Sequence, residues 1–556
     1  MNMNNIPTPA PGQTPPLVPA YAIFDAAVKR APDAPCTDFM DKIVSYGEMG
    51  DLAKRLARGL QNLGVVKGDR VGICLPNCPY YVAAYYGVMK AGATVVNFNP
   101  LYTETELHNQ IKDSGTTVML TIDVNAVYPK VAAARGGTSL ETIVVCSLAA
   151  ALPGLKSVLY RLFKRSDIAS VGYDGSTISF DTLTADSAEP QPVEIDPLND
   201  LAVLQYTGGT TGIPKGAMLT HANIAANSEQ VRIWMGEGEE FGSDSFLCVL
   251  PFFHVFAMTS ILNLGVSIGA KMILLPRFEL ETALKTIDAK RPTLFPAVPT
   301  IYSAIIGYSD IGKFDLSSIR FCVSGGAALP IAVKSRFEKL TGCVVVEGYG
   351  LTESSPVLTC NPPQGVNKPE SIGVAMPWTE IEIRDLEDSD KTVAQGERGQ
   401  VMGRGPQVMA GYWQNQEATD EVLKDGWLAT GDVGYVDEEG YVFLTDRIKD
   451  IILCSGFNVY PRVIEDAIYQ HPDVAEVSVI GIPDEYRGES PKAYVKLKDG
   501  ATASEQDILD FAIGLLNPIE KPSEVEIRAE LPKTMIGKLS KKELVAEQLE
   551  KSEKDT

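Results

Sequence analysis

Leu52, Leu56, Leu60 and Leu63 recur at the three- and four-residue spacing of a helix face. The apolar run that follows over 71–75, bounded by polar residues and Pro76, predicts a buried strand. The alternation then repeats, with helix expected over 81–89, strand over 94–98, helix over 104–112 and strand over 117–122. Helices that alternate with fully apolar strands predict mostly parallel sheets covered on their faces, with ligands held in loops beyond the strand ends. After a charged stretch at 446–450 the texture changes to a smaller unit, with strands over 474–482 and 493–497 and a helix over 504–515. The expected architecture is α/β: a flexible tail over 1–20, a large N-terminal region of several subdomains over 21–448, and a small α+β domain over 449–556. No internal repeat or heptad run stands out.

Composition narrows the functional classes. A chain of 556 residues, 45% of them apolar, can bury several cores. A formal charge of −22 speaks against a broad grip on nucleic acid, whose phosphates demand a basic face, and leaves anionic ligands dependent on local cations. The most apolar neighbourhood, 260–275, is broken by Asn263, Ser267 and Lys271, whereas a bilayer-spanning helix needs ~20 nearly uninterrupted apolar residues. The first twenty residues lack the basic start and apolar centre of a signal peptide, so a cytoplasmic location is expected. Nine scattered cysteines, with Cys74 and Cys78 lacking a second close pair, fit reduced thiols better than zinc or a disulfide framework. Residues 155–165 combine Leu155, Val158, Leu159, Leu162 and Phe163 with the cations Lys156, Arg161, Lys164 and Arg165. That mixture suits peripheral contact with an anionic membrane surface, and equally a solvated helix packed on its domain.

Chemistry-bearing residues gather where the apolar runs end. After 201–204 come Tyr206, Thr207, Gly208, Gly209, Thr210, Thr211, Gly212, Ile213, Pro214, Lys215 and Gly216. Glycines let backbone N–H groups close on an anion, hydroxyls add donors or a metal ligand, and the lysine adds a cation, so the loop suits a polyphosphate. The common nucleotide loop has Gly-Lys-Ser/Thr in succession; here Pro214 precedes Lys215 and Gly216 follows it, and a turn without ligand is the other reading. After 343–346 the segment Glu347, Gly348, Tyr349, Gly350, Leu351, Thr352, Glu353 and Ser354 offers an aromatic face for a base, a hydroxyl for phosphate and a carboxylate for Mg²⁺. The alternative is a glycine turn with a core tyrosine. Glu353 stands where a dinucleotide fingerprint requires glycine. His254, among Phe252, Phe253 and Phe256, has the setting of a buried, hydrogen-bonded histidine, with a substrate-facing role left open. Asp432 and Arg447 can grip ribose hydroxyls or be surface charges. Residues 531–542 are basic, with Gly537 loosening the backbone beside Lys538, where a solvated tail is the ordinary reading.

Taken together, these five pieces resemble, in order and spacing, the adenylate-forming superfamily of acyl-CoA synthetases, luciferases and peptide-synthetase adenylation domains. The likeness covers about 21–544 and is strongest to the bacterial long-chain fatty acid–CoA ligases. It is carried by Leu204 and Gln205 leading into the glycine loop, then Lys215, Gly216, Ala217, Met218, Leu219, Thr220 and His221. It continues through Asp425, Gly426, Trp427 and Leu428 to Asp446 and Arg447, and through Ser455, Gly456, Phe457, Asn458, Val459, Tyr460 and Pro461. Small departures are Ile448, where lysine is frequent, and Lys541 and Lys542, where arginines are.

The resemblance implies a two-step ligase using ATP, Mg²⁺ and coenzyme A, with a mobile C-terminal domain. Lys538, Glu353 and Thr207 would be catalytic, and Thr207 and Glu353 would hold the metal. The loop from Thr207 to Lys215 would take the outer phosphates. Ser324, Gly325, Gly326, Ala327, Ala328 and Tyr349 would line the adenine pocket, with Glu347, Gly348, Gly350 and Thr352 beside them, while Asp432 and Arg447 bind ribose. His254, Phe256 and Met258 would line the acyl entrance, Gly456, Phe457 and Asn458 would meet CoA, and Lys449 would be the hinge. Implied partners are fatty acid, ATP and CoA, with room for a homodimer and for contact with the inner face of the membrane. A medium-chain, aryl or dicarboxylate CoA ligase would share every catalytic residue. A non-catalytic fatty-acid or nucleotide-binding protein would need neither Lys538 nor Glu353. The segment after Lys538 leaves no room for a carrier domain.

Overall fold

The leucine spacing becomes a helix over Tyr46–Asn62, opened by a reciprocal capping box: Glu48 N donates to Ser45 Oγ at 3.2 Å and Ser45 N to the Glu48 carboxylate at 2.7 Å. Its buried stripe is Met49, Ala53, Leu56 and Leu60; Leu52 is half-buried, and Leu63 lies beyond the helix end and is exposed. Gly59 on the same face approaches Leu183 so closely that a Cβ would fall 2.0 Å from its carbonyl oxygen. In this computed structural model the described residues are 6–207, 214–236, 240–455, 457–484, 486–534 and 539–554.

The alternating pattern builds a seven-stranded sheet. Its spatial order is Thr177–Ser179, Thr142–Cys146, Val118–Ile122, Arg70–Ile73, Thr94–Asn97, Leu201–Tyr206 and Gly216–Thr220. All neighbours are parallel except the last pair, an antiparallel ladder that brackets the glycine loop. Helices Pro79–Lys90 and Glu104–Ser114 fall where the sequence places them, the second ended by Gly115 at φ +64°. A four-stranded sheet, ordered Ser245–Cys248, Lys271–Leu274, Pro35–Phe39 and Lys42–Ser45, is linked through Leu294, which forms parallel bridges to Phe246 and Phe321, to another, ordered Phe321–Ser324, Val344–Gly350, Val357–Cys360 and Val374–Ala375. The apolar neighbourhood at 260–275 divides into a π-helical turn Met258–Asn263, a short helix Leu264–Ser267 and the strand Lys271–Leu274. No described helix is long and apolar enough to cross a membrane.

The chain divides into two compact units, Met1–Glu380 with Gly403–Leu428, and Ile381–Met402 with Ala429–Thr556. The sequence boundary at 448/449 falls inside the second unit, because Val442–Arg447 folds back as a hairpin on Trp427–Val436. The core of the second unit packs Ile464 and Ile468 of helix Pro461–Tyr469 and Ile508 of helix Glu505–Ile513 onto a mixed sheet through Ile452, Val479 and Val495.

The segment expected as a free tail is fastened from Gln13 onward. Gln13 Nε2 donates to Glu229 at 2.9 Å, Trp378 Nε1 donates to the Gln13 carbonyl at 3.2 Å, and Ala20 N donates to His221 Nδ1 at 3.0 Å. Burial pushes the His221 imidazole down to about 4. A buried neutral histidine resists protonation that the unfolded chain accepts near 6.5, so its contribution is full above that value and is lost as pH falls towards 4. The expected loss is about 2 kcal/mol between pH 7 and pH 5. Denaturant melts of the wild type and His221→Gln should show that slope in the former and a flatter one in the latter.

Candidate active site

The strand Leu201–Tyr206 ends at Thr207, and Gly208, Gly209, Thr210, Thr211 and Gly212 lie outside the described residues. Both ends of the loop are tied together, Thr207 N donating to the Lys215 carbonyl at 2.9 Å. Tyr206 donates its hydroxyl to the Asp113 carboxylate, which anchors the strand end to the helix Glu104–Ser114. Lys215 Nζ stands 5.2 Å from the centroid of the Tyr412 ring, and Tyr412 donates to Glu353 Oε1 at 2.6 Å. The lysine of the glycine loop and the proposed metal ligand are thus joined through a residue that neither motif contains. Burial, and then the Glu353 charge, raise the Tyr412 phenol above its usual range, so it stays a donor.

Glu353 sits on a single 3₁₀ turn, Thr352–Ser354, that is clamped on several sides. Met409 N donates to its carbonyl at 2.8 Å, Thr259 Oγ1 to the Ser355 carbonyl at 2.5 Å, and Asn227 exchanges two hydrogen bonds with the Val357 backbone at 2.9 and 3.0 Å. Gly350 allows the turn to close: a Cβ there would lie 1.8 Å from the Pro356 carbonyl oxygen.

The expected purine-binding residues surround two parallel strands, Phe321–Ser324 and Val344–Gly350, with Ser324 in register with Glu347. Gly326 turns the chain at φ +82°, leaving Ala327 and Ala328 exposed. Glu347 is buried and accepts from Leu329 N at 3.2 Å, which fixes the loop. Ser324 Oγ is buried with no hydrogen-bond partner, a polar atom ready for a ligand group. Tyr349, Gly348 and Thr352 are half-buried and Gly350 is exposed at the strand end. Phe256 packs on this loop, since a Cβ on Gly325 would stand 3.2 Å from its ring.

His254 is half-buried and caps the turn Val255–Ala257, its Nδ1 accepting from Phe256 N at 3.3 Å. Met258 is fully buried, with its sulfur 3.7 Å from Asn97 Nδ2. Asn97 accepts from Tyr81 at 2.7 Å and donates to Gln205 at 2.8 Å, and Gln205 donates to the Phe253 carbonyl at 2.9 Å. This buried polar network ties the strand Leu201–Tyr206 to Phe253 and Met258. Sequence reasoning missed it, along with Asp113, Asn227 and Tyr412. The adjacent Gly411, Tyr412 and Trp413 were the one local signal available.

In the second unit Arg447 Nε donates to Asp432 Oδ1 at 2.9 Å across paired strands, and Asp432 is buried. Lys449 lies in the 3₁₀ turn Ile448–Asp450, and burial lowers its pKa. Phe457 and Asn458 are exposed on a short strand; Gly456 and Lys538 lie outside the described residues. Lys533 and Leu539 form an isolated antiparallel bridge on either side of Lys538.

Thr207 and Glu353 carry oxygen donors and Ser324 a buried hydroxyl without a partner, the kinds of group that a nucleotide with a hard cation would require. Among the described residues there is no group of three or more His, Cys, Asp or Glu that could hold a metal ion.

These features are those of an adenylating enzyme, and the chain belongs to the AMP-binding enzyme family, whose model matches residues 24–413, with the C-terminal domain model matching 463–538. Among its relatives, a long-chain-fatty-acid–CoA ligase of Bacillus subtilis (strain 168) is 43% identical over 98% of this chain and 97% of that protein. One of Escherichia coli O157:H7 is 38% identical over 94% and 93%. ATP-bound MatB from Rhodopseudomonas palustris superposes with a TM-score of 0.81 at 29% identity, covering 95% of this chain and 98% of that one. The anthranilate CoA ligase AuaEII with anthranoyl-AMP gives 0.83 at 28%, covering 96% and 98%.

Tyr412→Phe removes one charge-assisted hydrogen bond to Glu353 and keeps the ring under Lys215. Titration calorimetry should show Mg-ATP binding weakened about tenfold, with ATP binding in the absence of Mg²⁺ nearly unchanged.

Proposed function

We propose that the protein is a long-chain fatty acid–CoA ligase that works through an acyl adenylate. The observation that carries this reading is the Lys215–Tyr412–Glu353 chain beside the glycine loop, in a protein similar over nearly its whole length to long-chain ligases. The fold does not choose the acid, since an anthranilate ligase shares it. The higher, near-full-length identity to the fatty-acid enzymes does.

The reaction has two steps. A carboxylate is a poor electrophile because its charge repels nucleophiles. In the first step its oxygen attacks the α-phosphorus of ATP, a P–O bond to pyrophosphate breaks, and the acid becomes an acyl adenylate. In the second, the CoA sulfur attacks the acyl carbon and AMP leaves with the electron pair. Thr207 and the loop to Lys215 hold the β- and γ-phosphates, Tyr412 orients Glu353, and Ser324 with Tyr349 takes the adenine. Thr207 and Glu353 would hold Mg²⁺, which when bound would supply charge to offset the phosphates. Asp432, aligned by Arg447, accepts from the ribose hydroxyls. Lys538 stabilises the charge that develops between carboxylate and α-phosphate, a role worth ~3 kcal/mol or ~10²-fold in rate. His254, Phe256 and Met258 line the acyl entrance. For the second step we assign a hinge at Lys449 that exchanges Lys538 for the face of Gly456, Phe457 and Asn458, which receives pantetheine. We place the enzyme in the cytoplasm, a reading supported by nine free, buried cysteines.

Pyrophosphate release across saturated acids from acetate to stearate should rise through the long-chain range, since each buried methylene contributes ~0.8 kcal/mol. Acyl-CoA and AMP should appear only with CoA present. A profile peaking at short or aromatic acids would sink the long-chain assignment. Lys538→Ala should lose at least ~10²-fold in pyrophosphate release while thioester formation from supplied acyl-AMP is largely spared. Lys449→Pro should show the reverse pattern, and stopped-flow measurement of each half-reaction separates the two.

A further inference from the structure

The helix Gly154–Phe163 buries none of its residues. Leu155, Val158, Leu159, Leu162 and Phe163 are 75, 54, 42, 68 and 77% exposed, and their spacing puts them in one stripe along the helix. An amphipathic helix on a globular domain ordinarily turns its apolar stripe inward, and a contiguous exposed patch of this kind marks a contact surface. A helix of 10 residues is also too short to hold by itself in water. Its position is set from outside the stripe. Lys42 Nζ donates to the Ala150 carbonyl at 2.7 Å, and Lys156 donates to the Met40 carbonyl at 3.1 Å and pairs with the Asp41 carboxylate. These bonds bring the hairpin tip, with Met40 40% exposed, to the same edge.

The charge around the stripe names the occupant. Residues 155–165 hold Lys156, Arg161, Lys164 and Arg165 and no acidic residue, in a chain of net charge −22. Lys156 is engaged with Asp41, and Lys164 lies 4.0 Å from Asp167; Arg161 and Arg165 are exposed at the end of the helix. A second copy docking symmetrically through this face would set the same cations against each other. A bilayer with anionic headgroups satisfies both halves of the surface, apolar side chains entering the acyl boundary while arginine and lysine meet phosphate.

We propose that the helix Gly154–Phe163 docks the protein on an anionic membrane surface, lying in the interface with its leucine and phenylalanine stripe inward. The docking rests on this helix alone; that it gathers substrate where fatty acids partition rests on the ligase reading above.

The test is co-sedimentation with phosphatidylcholine vesicles, with and without phosphatidylglycerol, at low and high salt. Wild type should sediment with the anionic vesicles at low salt, and R161Q/K164Q/R165Q should lose about a hundredfold in partition coefficient. L155D/L162D/F163D should lose binding altogether. Both variants should keep pyrophosphate release with fatty acid presented on albumin, which separates failure of docking from failure of the ligase assignment. Since every native cysteine is buried, Leu162→Cys can carry an environment-sensitive dye. Its emission should shift blue only with anionic vesicles, and this reading stands even if the triple variants misfold. Wild type that stays in solution with anionic vesicles, variants that sediment like wild type, or a dimer in light scattering that the aspartate variant abolishes would each overturn the proposal.

Discussion

The placement of Glu353 near the lysine that follows the glycine loop depends on one aromatic side chain, Tyr412. Tyr412 donates to Glu353 at 2.6 Å, under a ring that carries Lys215 Nζ at 5.2 Å. The arrangement orients the Glu353 carboxylate through a hydrogen bond from a residue far along the chain. It also places an aromatic ring between that lysine and the carboxylate. Around it the turn is fastened by backbone contacts from Met409, Thr259 and Asn227. Rigid support of this kind matters because electrostatic stabilisation acts only when its dipoles need no reorganisation during the reaction.

The buried amides extend the same logic to the substrate side. Asn97 and Gln205 are engaged with each other, with Tyr81 and with the Phe253 carbonyl, so a polar network in the sheet interior is satisfied and fixes how Phe253 meets the strand Leu201–Tyr206. Ser324 is the contrast, a buried hydroxyl without a partner at a place where a ligand is expected. The exposed stripe on Gly154–Phe163 is a conflict of another type, a local pattern that makes a good helix and a poor soluble surface, which points to a contact outside the chain.

Much of this was legible in the sequence, and some was not. Apolar runs located four of the strands of the seven-stranded sheet, Arg70–Ile73, Thr94–Asn97, Val118–Ile122 and Leu201–Tyr206, to within a few residues, because burial is written at short spacing; Thr142–Cys146, Thr177–Ser179 and Gly216–Thr220 were not anticipated. The turn at Glu347 to Ser354 was legible because a tight turn demands particular residue types at adjacent positions. Within the tail expected over 1–20, Gln13 and Ala20 are fastened: Asn, Pro and Gly speak for irregular backbone, and whether irregular backbone is held depends on partners such as Glu229 and Trp378 far along the chain.

By itself the sequence determined the α/β alternation, the places where backbone can close on an anion, and the residue types able to do adenylating chemistry. Tertiary structure alone decided which of them meet. Tyr412 and Glu353 are 59 positions apart and Tyr206 and Asp113 are 93 apart. No spacing rule links such pairs, because their contact is set by how strands order within sheets, and strand order depends on burial summed over the whole chain.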